Sequence, residues 1–151
     1  MPTHYRGTPE EILALDAYIK FTRANNTLES RLFQQNVVED LTPTQFGVLE
    51  TLHHLGPLCQ GELSCKLLKS TGNVTLVLDN LEKLGLVERQ RSNEDRRRVF
   101  ISLTPAGQEK INRIFPHVAN AIRAEMGILT PTEQVQFAQL CGYLGKQTRE
   151  K

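Results

Sequence analysis

The side chains best suited to chemistry lie between residues 66 and 98, where basic residues outnumber acidic ones. This stretch holds eight lysines and arginines against five aspartates and glutamates, a net charge of +3, whereas the rest of the chain carries −2. A basic surface on a scaffold of opposite charge is typical of a segment that contacts DNA. An ordinary solvated surface is the alternative, and charge alone does not distinguish the two.

One helix of this stretch combines a buried face with a face suited to base recognition. Apolar residues recur at helical spacing and are expected to face inward, namely Val74, Val77, Leu78, Leu81 and Leu84. The opposite face carries hydroxyl, amide and apolar groups, which can bond base edges or meet a thymine methyl. The residues expected to read DNA are Ser70, Thr71, Asn73, Thr75 and Leu76. Asp79, near this face, would be repelled by phosphates unless it orients a neighbouring arginine.

A short hairpin is expected directly after this helix. Residues 92–97 are all polar and separate two short segments, 87–91 and 98–103, whose composition and alternation predict strands. Arg96 and Arg97 stand at the tip, where a protruding turn can insert arginine into a narrow minor groove. Asp95 is expected to hold one of them extended. A major-groove helix followed by a minor-groove hairpin predicts a winged helix-turn-helix.

The ends of the helices that position these residues can be predicted from the sequence. The segments TPTQ (42–45) and TPTE (130–133) are capping boxes, and Thr104-Pro105 has the first half of one. Gly56-Pro57 ends the second helix, and Gly85 is placed as the C-cap glycine of the fourth. The chain is therefore expected to be mostly α with a small β-hairpin. Helices are predicted at about 10–38, 43–55, 60–68, 70–84, 105–126 and 131–146.

The sequence resembles the MarR (multiple antibiotic resistance regulator) family continuously from about residue 41 to residue 107. The matching segments are LTPTQFGVL (41–49), EL (62–63), STGNVT (70–75), DNLEKLGLV (79–87), NEDRRRV (93–99) and LTPAG (103–107). The resemblance implies one domain over residues 1–151. Its winged helix-turn-helix core would span about 41–104, flanked by dimerisation helices at about 10–38 and 105–146.

The resemblance also implies how the protein would act. It points to a homodimer on palindromic double-stranded DNA, with the two recognition helices about one helical turn apart. Arg97 would be the minor-groove arginine with Asp95 as its partner, and Arg96 would contact a phosphate or a groove. Members usually repress their own or neighbouring genes, and many are released by a small phenolic or carboxylate ligand or by an oxidant.

Effector sites are expected in two places. A cation, a hydroxyl and apolar walls between the first, second and fifth helices would suit a small aromatic acid, with Tyr18, Arg23, Phe46 and His53 as candidates. Cys59 is the candidate redox thiol, whereas Cys65 and Cys141 are expected to pack in the core. The four histidines do not have metal-ligand spacing, so no metal or other cofactor is expected.

Other classes of protein fit less well. The 151 residues show no membrane span, secretory signal, phosphate loop or nucleophile elbow, and three cysteines do not make a disulfide framework. We therefore expect a cytoplasmic protein that is not an enzyme. The alternatives are a winged helix that docks another protein, an enzyme's accessory subunit and a redox-sensing regulator. The arginines at the hairpin tip argue against protein docking.

Overall fold

The computed structural model describes residues 4–67 and 71–149, in which six helices and three short strands are present. In chain order the elements are α1 (Pro9–Gln34), α2 (Pro43–Leu55), β1 (Leu58–Cys59), α3 (Gln60–Leu67), α4 (Thr71–Lys83), β2 (Val87–Arg91), β3 (Val99–Leu103), α5 (Pro105–Met126) and α6 (Pro131–Lys146). The mostly helical winged helix-turn-helix predicted from the sequence is confirmed.

Threonine caps set the helix starts, as predicted. Thr42 Oγ1 accepts a hydrogen bond from the Gln45 N–H, and the Gln45 side chain accepts the Thr42 N–H at 2.9 Å in return. Thr130 with Glu133 repeats the arrangement at α6, and Thr104 caps α5. Each cap satisfies N–H groups that the first helical turn leaves without a partner.

A left-handed glycine ends α4 as predicted. Gly85 has φ of +72°, and its N–H donates to the Glu82 carbonyl, while the Leu86 N–H donates to the Leu81 carbonyl. This pair of bonds is a Schellman motif, and the buried Leu86 packs back on the helix. The prediction that Leu84 faces inward was wrong: this residue is 56 % exposed, because α4 ends one residue earlier and the chain leaves the helical path.

The strands form one antiparallel sheet in the order β1-β3-β2. Val87 pairs with Leu103 and Arg91 with Val99 across the hairpin, and Leu58 pairs with Ile101 on the other edge of β3. Strand β1 was not predicted, because two residues are too few to show a period of two. The fully buried Ile101 joins this sheet to the helical core.

The core lies beneath α4 and the sheet. Its fully buried residues come from α2, α3, α4, β2, β3 and α5, and include Leu49, Leu63, Leu78, Ile101 and Ile111. The start of α5 sits tightly on the α4–β2 turn, since a Cβ on Gly107 would fall 1.9 Å from the Leu86 carbonyl oxygen. This close backbone contact holds α4 and the hairpin against α5.

The terminal helices differ from this core. Helices α1 and α6 contain no buried residue within the single chain, and both expose large apolar side chains, among them Leu13, Tyr18, Val135 and Leu140. Helix α1 is also shorter than predicted. It ends at Gln34, and the turn after it has positive φ at Asn36 and Glu39.

Membrane spans and metal clusters are both absent from residues 4–67 and 71–149. No helix in these ranges is long and apolar enough to cross a membrane. The same ranges contain no group of three or more histidine, cysteine, aspartate or glutamate residues placed to hold a metal ion.

Candidate nucleic-acid interface

Helix α4 buries one face and presents the other, as its sequence predicts. Val74, Leu78 and Leu81 are fully buried, whereas Asn73 is exposed and Leu76 is 62 % exposed. Ser70 lies outside the described residues, and Thr71 begins the helix with a side chain that is not described. The exposed face is therefore polar with one apolar residue, which is a composition that can read base edges.

The half-buried Thr75 is fixed from a neighbouring helix. Gln60, the first residue of α3, donates from Nε2 to Thr75 Oγ1 at 2.5 Å. This bond sets the direction of the hydroxyl on the recognition helix. Gln60 was not predicted from the sequence, because a contact across fifteen residues between two packed helices leaves no local pattern.

Side chains close the hairpin tip, which we call the wing tip (residues 92–97). Ser92 Oγ accepts the N–H groups of Glu94 at 3.2 Å and Asp95 at 3.4 Å, and Asp95 Oδ1 accepts the Arg97 N–H at 3.0 Å. Asp95 was expected to hold an arginine side chain. The bond present here goes to the backbone of Arg97, so Asp95 shapes the turn on which Arg97 stands.

The two arginines at the wing tip are available for contact. Arg96 and Arg97 are both exposed, and neither guanidinium pairs with a carboxylate of the described residues. Two charged side chains on a turn held by three side-chain hydrogen bonds can reach a phosphate or enter a narrow groove. Electrostatically, this tip is the strongest candidate for a DNA contact.

Arg98 takes a different role at the base of the wing. Its guanidinium lies over the Phe100 ring, 5.4 Å from the centroid, and 3.8 Å from a Glu62 carboxylate oxygen. Interaction with Cys59 and the negative charges of Glu62 and Asp95 raise the pKa of Arg98. Arg98 thus stays charged and ties β3 to the start of α3.

All three cysteines have free thiols. Cys59 is half-buried at the end of β1, directly before α3. The expectation that Cys65 packs in the core was wrong, because Leu63 and Ser64 take the inward positions of α3 and leave Cys65 exposed. Cys141 is half-buried on α6, which contributes no buried residue, so the expectation that it packs in the core was also wrong.

An ion-pair cluster joins the recognition helix to β2. Arg89 Nη1 donates to Asp79 Oδ1 and to Glu82 Oε2, each at 2.7 Å, and Nη2 donates to the Thr75 carbonyl at 3.4 Å. Burial lowers the pKa of Arg89, but the bonds to both carboxylates outweigh it and raise the pKa. The suggestion that Asp79 orients a neighbouring arginine is therefore confirmed.

The four predicted effector residues occupy separate places. Arg23 lines a groove of about 500 Å³ formed by α1, the end of α5 and the start of α6. Tyr18 lines an adjoining apolar groove of about 450 Å³, which shares Phe137 with the first. Phe46 is buried in the core, and His53 Nδ1 lies 2.8 Å from Gln108 Nε2. Neither groove includes Phe46 or His53.

Comparison with known proteins agrees with this geometry. Residues 41–99 match the model of the MarR family. The chain is 35 % identical over 128 residues to the HTH-type transcriptional regulator YkoM of Bacillus subtilis, covering 84 % of this chain and 82 % of YkoM. Its fold resembles that of a mutant MarR from E. coli complexed with operator DNA, with a TM-score of 0.76 and 26 % identity, covering 92 % of this chain and 99 % of that one.

A second similar structure carries a small molecule. It is NadR in complex with 4-hydroxyphenylacetate, with a TM-score of 0.76 and 25 % identity, covering 97 % of this chain and 99 % of NadR. The similar proteins are regulators rather than enzymes, which confirms the absence of catalysis expected from the sequence. The chain therefore belongs to the MarR family of DNA-binding, winged helix-turn-helix transcriptional regulators.

Proposed function

We propose that the protein acts as a homodimer that represses its own or a neighbouring gene by binding a palindromic operator. The observation that carries this proposal is that α4 and the wing tip form one packed unit. Arg89 of β2 is bonded to α4, and β2 leads directly into the turn that bears Arg96 and Arg97. Helix and wing tip would then enter neighbouring grooves together, with α4 in the major groove and Arg97 in the minor groove.

The apolar surface of the terminal helices supports the homodimer. Tyr18, Phe21, Phe137, Leu140 and Leu144 line the adjoining apolar groove between α1 and α6. Exposed apolar patches of this kind mark interaction sites. In our proposal a second copy of the chain covers them.

Selection from a library of random duplexes tests the DNA proposal without knowledge of the operator. The enriched sequences should form an inverted repeat whose half-sites lie about 10 base pairs apart, as two-fold protein symmetry requires. Enrichment of a single half-site, or no enrichment, would contradict a dimer on a palindrome. Sedimentation equilibrium of the free protein measures the dimer independently.

The groove beside Arg23 supports release by a small aromatic carboxylate or phenol. Leu28, Met126, Leu129 and Phe137 provide apolar walls, and no carboxylate of the described residues pairs with Arg23. A cation beside apolar walls suits an aromatic acid. A ligand there would bridge α1, α5 and α6 and so would change how the DNA-binding core is held.

A redox response through Cys59 is the second candidate function. It is favoured by Glu62, which accepts the Cys59 N–H at 2.9 Å and lies 3.8 Å from the Arg98 guanidinium, so that a cation lies near the thiol. Attack of the thiolate on hydrogen peroxide would give a sulfenic acid and hydroxide. The bulkier group would disturb the contact between Arg98 and Glu62, which ties β3 to the start of α3. Peroxide should then release DNA from the wild type but not from Cys59→Ser, with Cys65→Ser as the matched control. Equal release from all three proteins would contradict the assignment.

A further inference from the structure

The recognition helix carries two carboxylates beside its exposed face. Asp79 and Glu82 share the Nη1 atom of Arg89, and their side chains are 46 % and 45 % exposed. Thr75, Asp79 and Glu82 follow one another at helical spacing of four and three residues, so they form one stripe on the side of α4 that faces β2. Leu76 and Asn80 are their immediate neighbours on the exposed face.

Two unpaired carboxylates at this place would oppose DNA binding. Like charges brought together at an interface weaken binding. Phosphates approaching the exposed face of α4 would meet Asp79 and Glu82 at its edge. A positively charged group of the protein itself is therefore needed to neutralise these two carboxylates.

We propose that Arg89 is a positioning residue for DNA binding, which neutralises Asp79 and Glu82 and holds them against the wing instead of contacting DNA. Its side chain is only 23 % exposed, and both terminal nitrogens are bonded to acceptors on α4. This role rests on the DNA binding assigned above. It also explains why a recognition helix tolerates two acids.

The test replaces Arg89 with methionine, which keeps an unbranched side chain and removes the charge. Arg89→Met should weaken operator binding about tenfold at low salt, because two carboxylates then face the phosphates without a counter-charge. The defect should shrink as salt rises from about 50 to 300 mM, because screening weakens the repulsion between carboxylates and phosphates. The matched control is Arg113→Met on α5, which loses the same charge and also breaks an arginine–carboxylate pair, with Glu39. The control should bind within about twofold of the wild type.

A rescue separates neutralisation from a purely structural role. The triple variant Arg89→Met/Asp79→Asn/Glu82→Gln should recover binding to within about threefold of the wild type, since nothing remains to be neutralised. A triple variant that stays as weak as Arg89→Met, or a defect that does not change with salt, overturns the proposal. Thermal unfolding establishes that each variant is folded. Wild-type binding in the same titration shows separately whether the DNA-binding function itself holds.

Discussion

Asp95 Oδ1 accepts the backbone N–H of Arg97 at 3.0 Å, so the acid and the arginine of the wing tip are joined through the main chain. The same turn is closed on its other side by Ser92. The relationship separates two roles within one short turn. Asp95 shapes the turn, and the Arg97 side chain is left exposed.

Replacing Arg97 with alanine should weaken operator binding by about 1–3 kcal/mol, as the loss of a good groove contact does. If the guanidinium also contacts a DNA phosphate, the slope of log affinity against log salt should become shallower by about one. Fluorescence anisotropy across a salt series measures both. Binding at wild-type strength would remove Arg97 from the interface.

Replacing Asp95 with alanine should weaken operator binding less than replacing Arg97 does. The variant loses one hydrogen bond in an exposed turn, about 1 kcal/mol, and keeps both arginines. Asp95→Asn is the matched control, because its amide oxygen can still accept the Arg97 N–H, and it should bind DNA nearly as the wild type does. If the asparagine variant binds DNA as weakly as the alanine variant, Asp95 acts through its charge and not through its hydrogen bond in the turn.

Acid should loosen the link between α5 and the turn that follows α1. Arg113 donates to both carboxylate oxygens of Glu39, and Lys110 lies 2.7 Å from Asp40. The Arg113 hydrogen bond lowers the pKa of Glu39, and the Lys110 hydrogen bond lowers that of Asp40. Lowered pKa values contribute stability above the ordinary carboxyl range, and that stability is lost as the pH falls through the lowered values.

Thermal unfolding from pH 7 down to about 3 measures this dependence. Glu39→Gln/Asp40→Asn should flatten part of the fall, by a small amount because both acids are exposed and screened by solvent. Glu29→Gln on α1 is the control. A double variant whose pH profile overlays that of the wild type would show that this cluster contributes nothing.

Gly107→Ala should destabilise the fold by about 1–3 kcal/mol through overpacking. The new Cβ would meet the Leu86 carbonyl, and backbone must then move at the α4–β2 turn. Gly61→Ala is the control, since nothing lies within 4 Å of a Cβ there. Urea unfolding should show no loss for the control. Equal stability of the two variants would contradict the close approach of α5 to the turn.

Arg23→Met should abolish release of DNA by the small aromatic carboxylate proposed above while leaving DNA binding itself intact. The methionine keeps the apolar wall of the groove and removes the cation that would hold the carboxylate. Arg123→Met, on α5 but not lining the groove, should respond as the wild type does. Release that persists in Arg23→Met would place the effector elsewhere.

Local signals made most of the fold predictable. The cap at Thr42 and the glycine at Gly85 act within a few residues, so the sequence alone located both helix ends. Leu84 and Cys65 were both expected to be buried and are exposed, because how a helix ends and packs is not a local property. A helical period says which residues share a face, but not where the helix stops or which of two faces packs.

The site was predictable only where single residues carry the chemistry. Arg96, Arg97 and Asn73 are exposed, as expected from the sequence. Gln60 was not found, and the arginine beside Asp79 was anticipated but not identified as Arg89, because each acts on α4 from another element and depends on how the elements pack. The apolar groove beside Tyr18 likewise depends on the meeting of α1 and α6.

The most direct test of DNA recognition by α4 and the wing compares two duplexes by fluorescence anisotropy. One carries the DNA upstream of the protein's own gene, and the other is a scrambled sequence of equal length and composition. We predict tight binding that weakens with salt and favours the upstream duplex, as phosphate and base contacts together require. Weak and equal binding to both duplexes would contradict self-regulation through this interface and would turn attention to a protein partner for the wing.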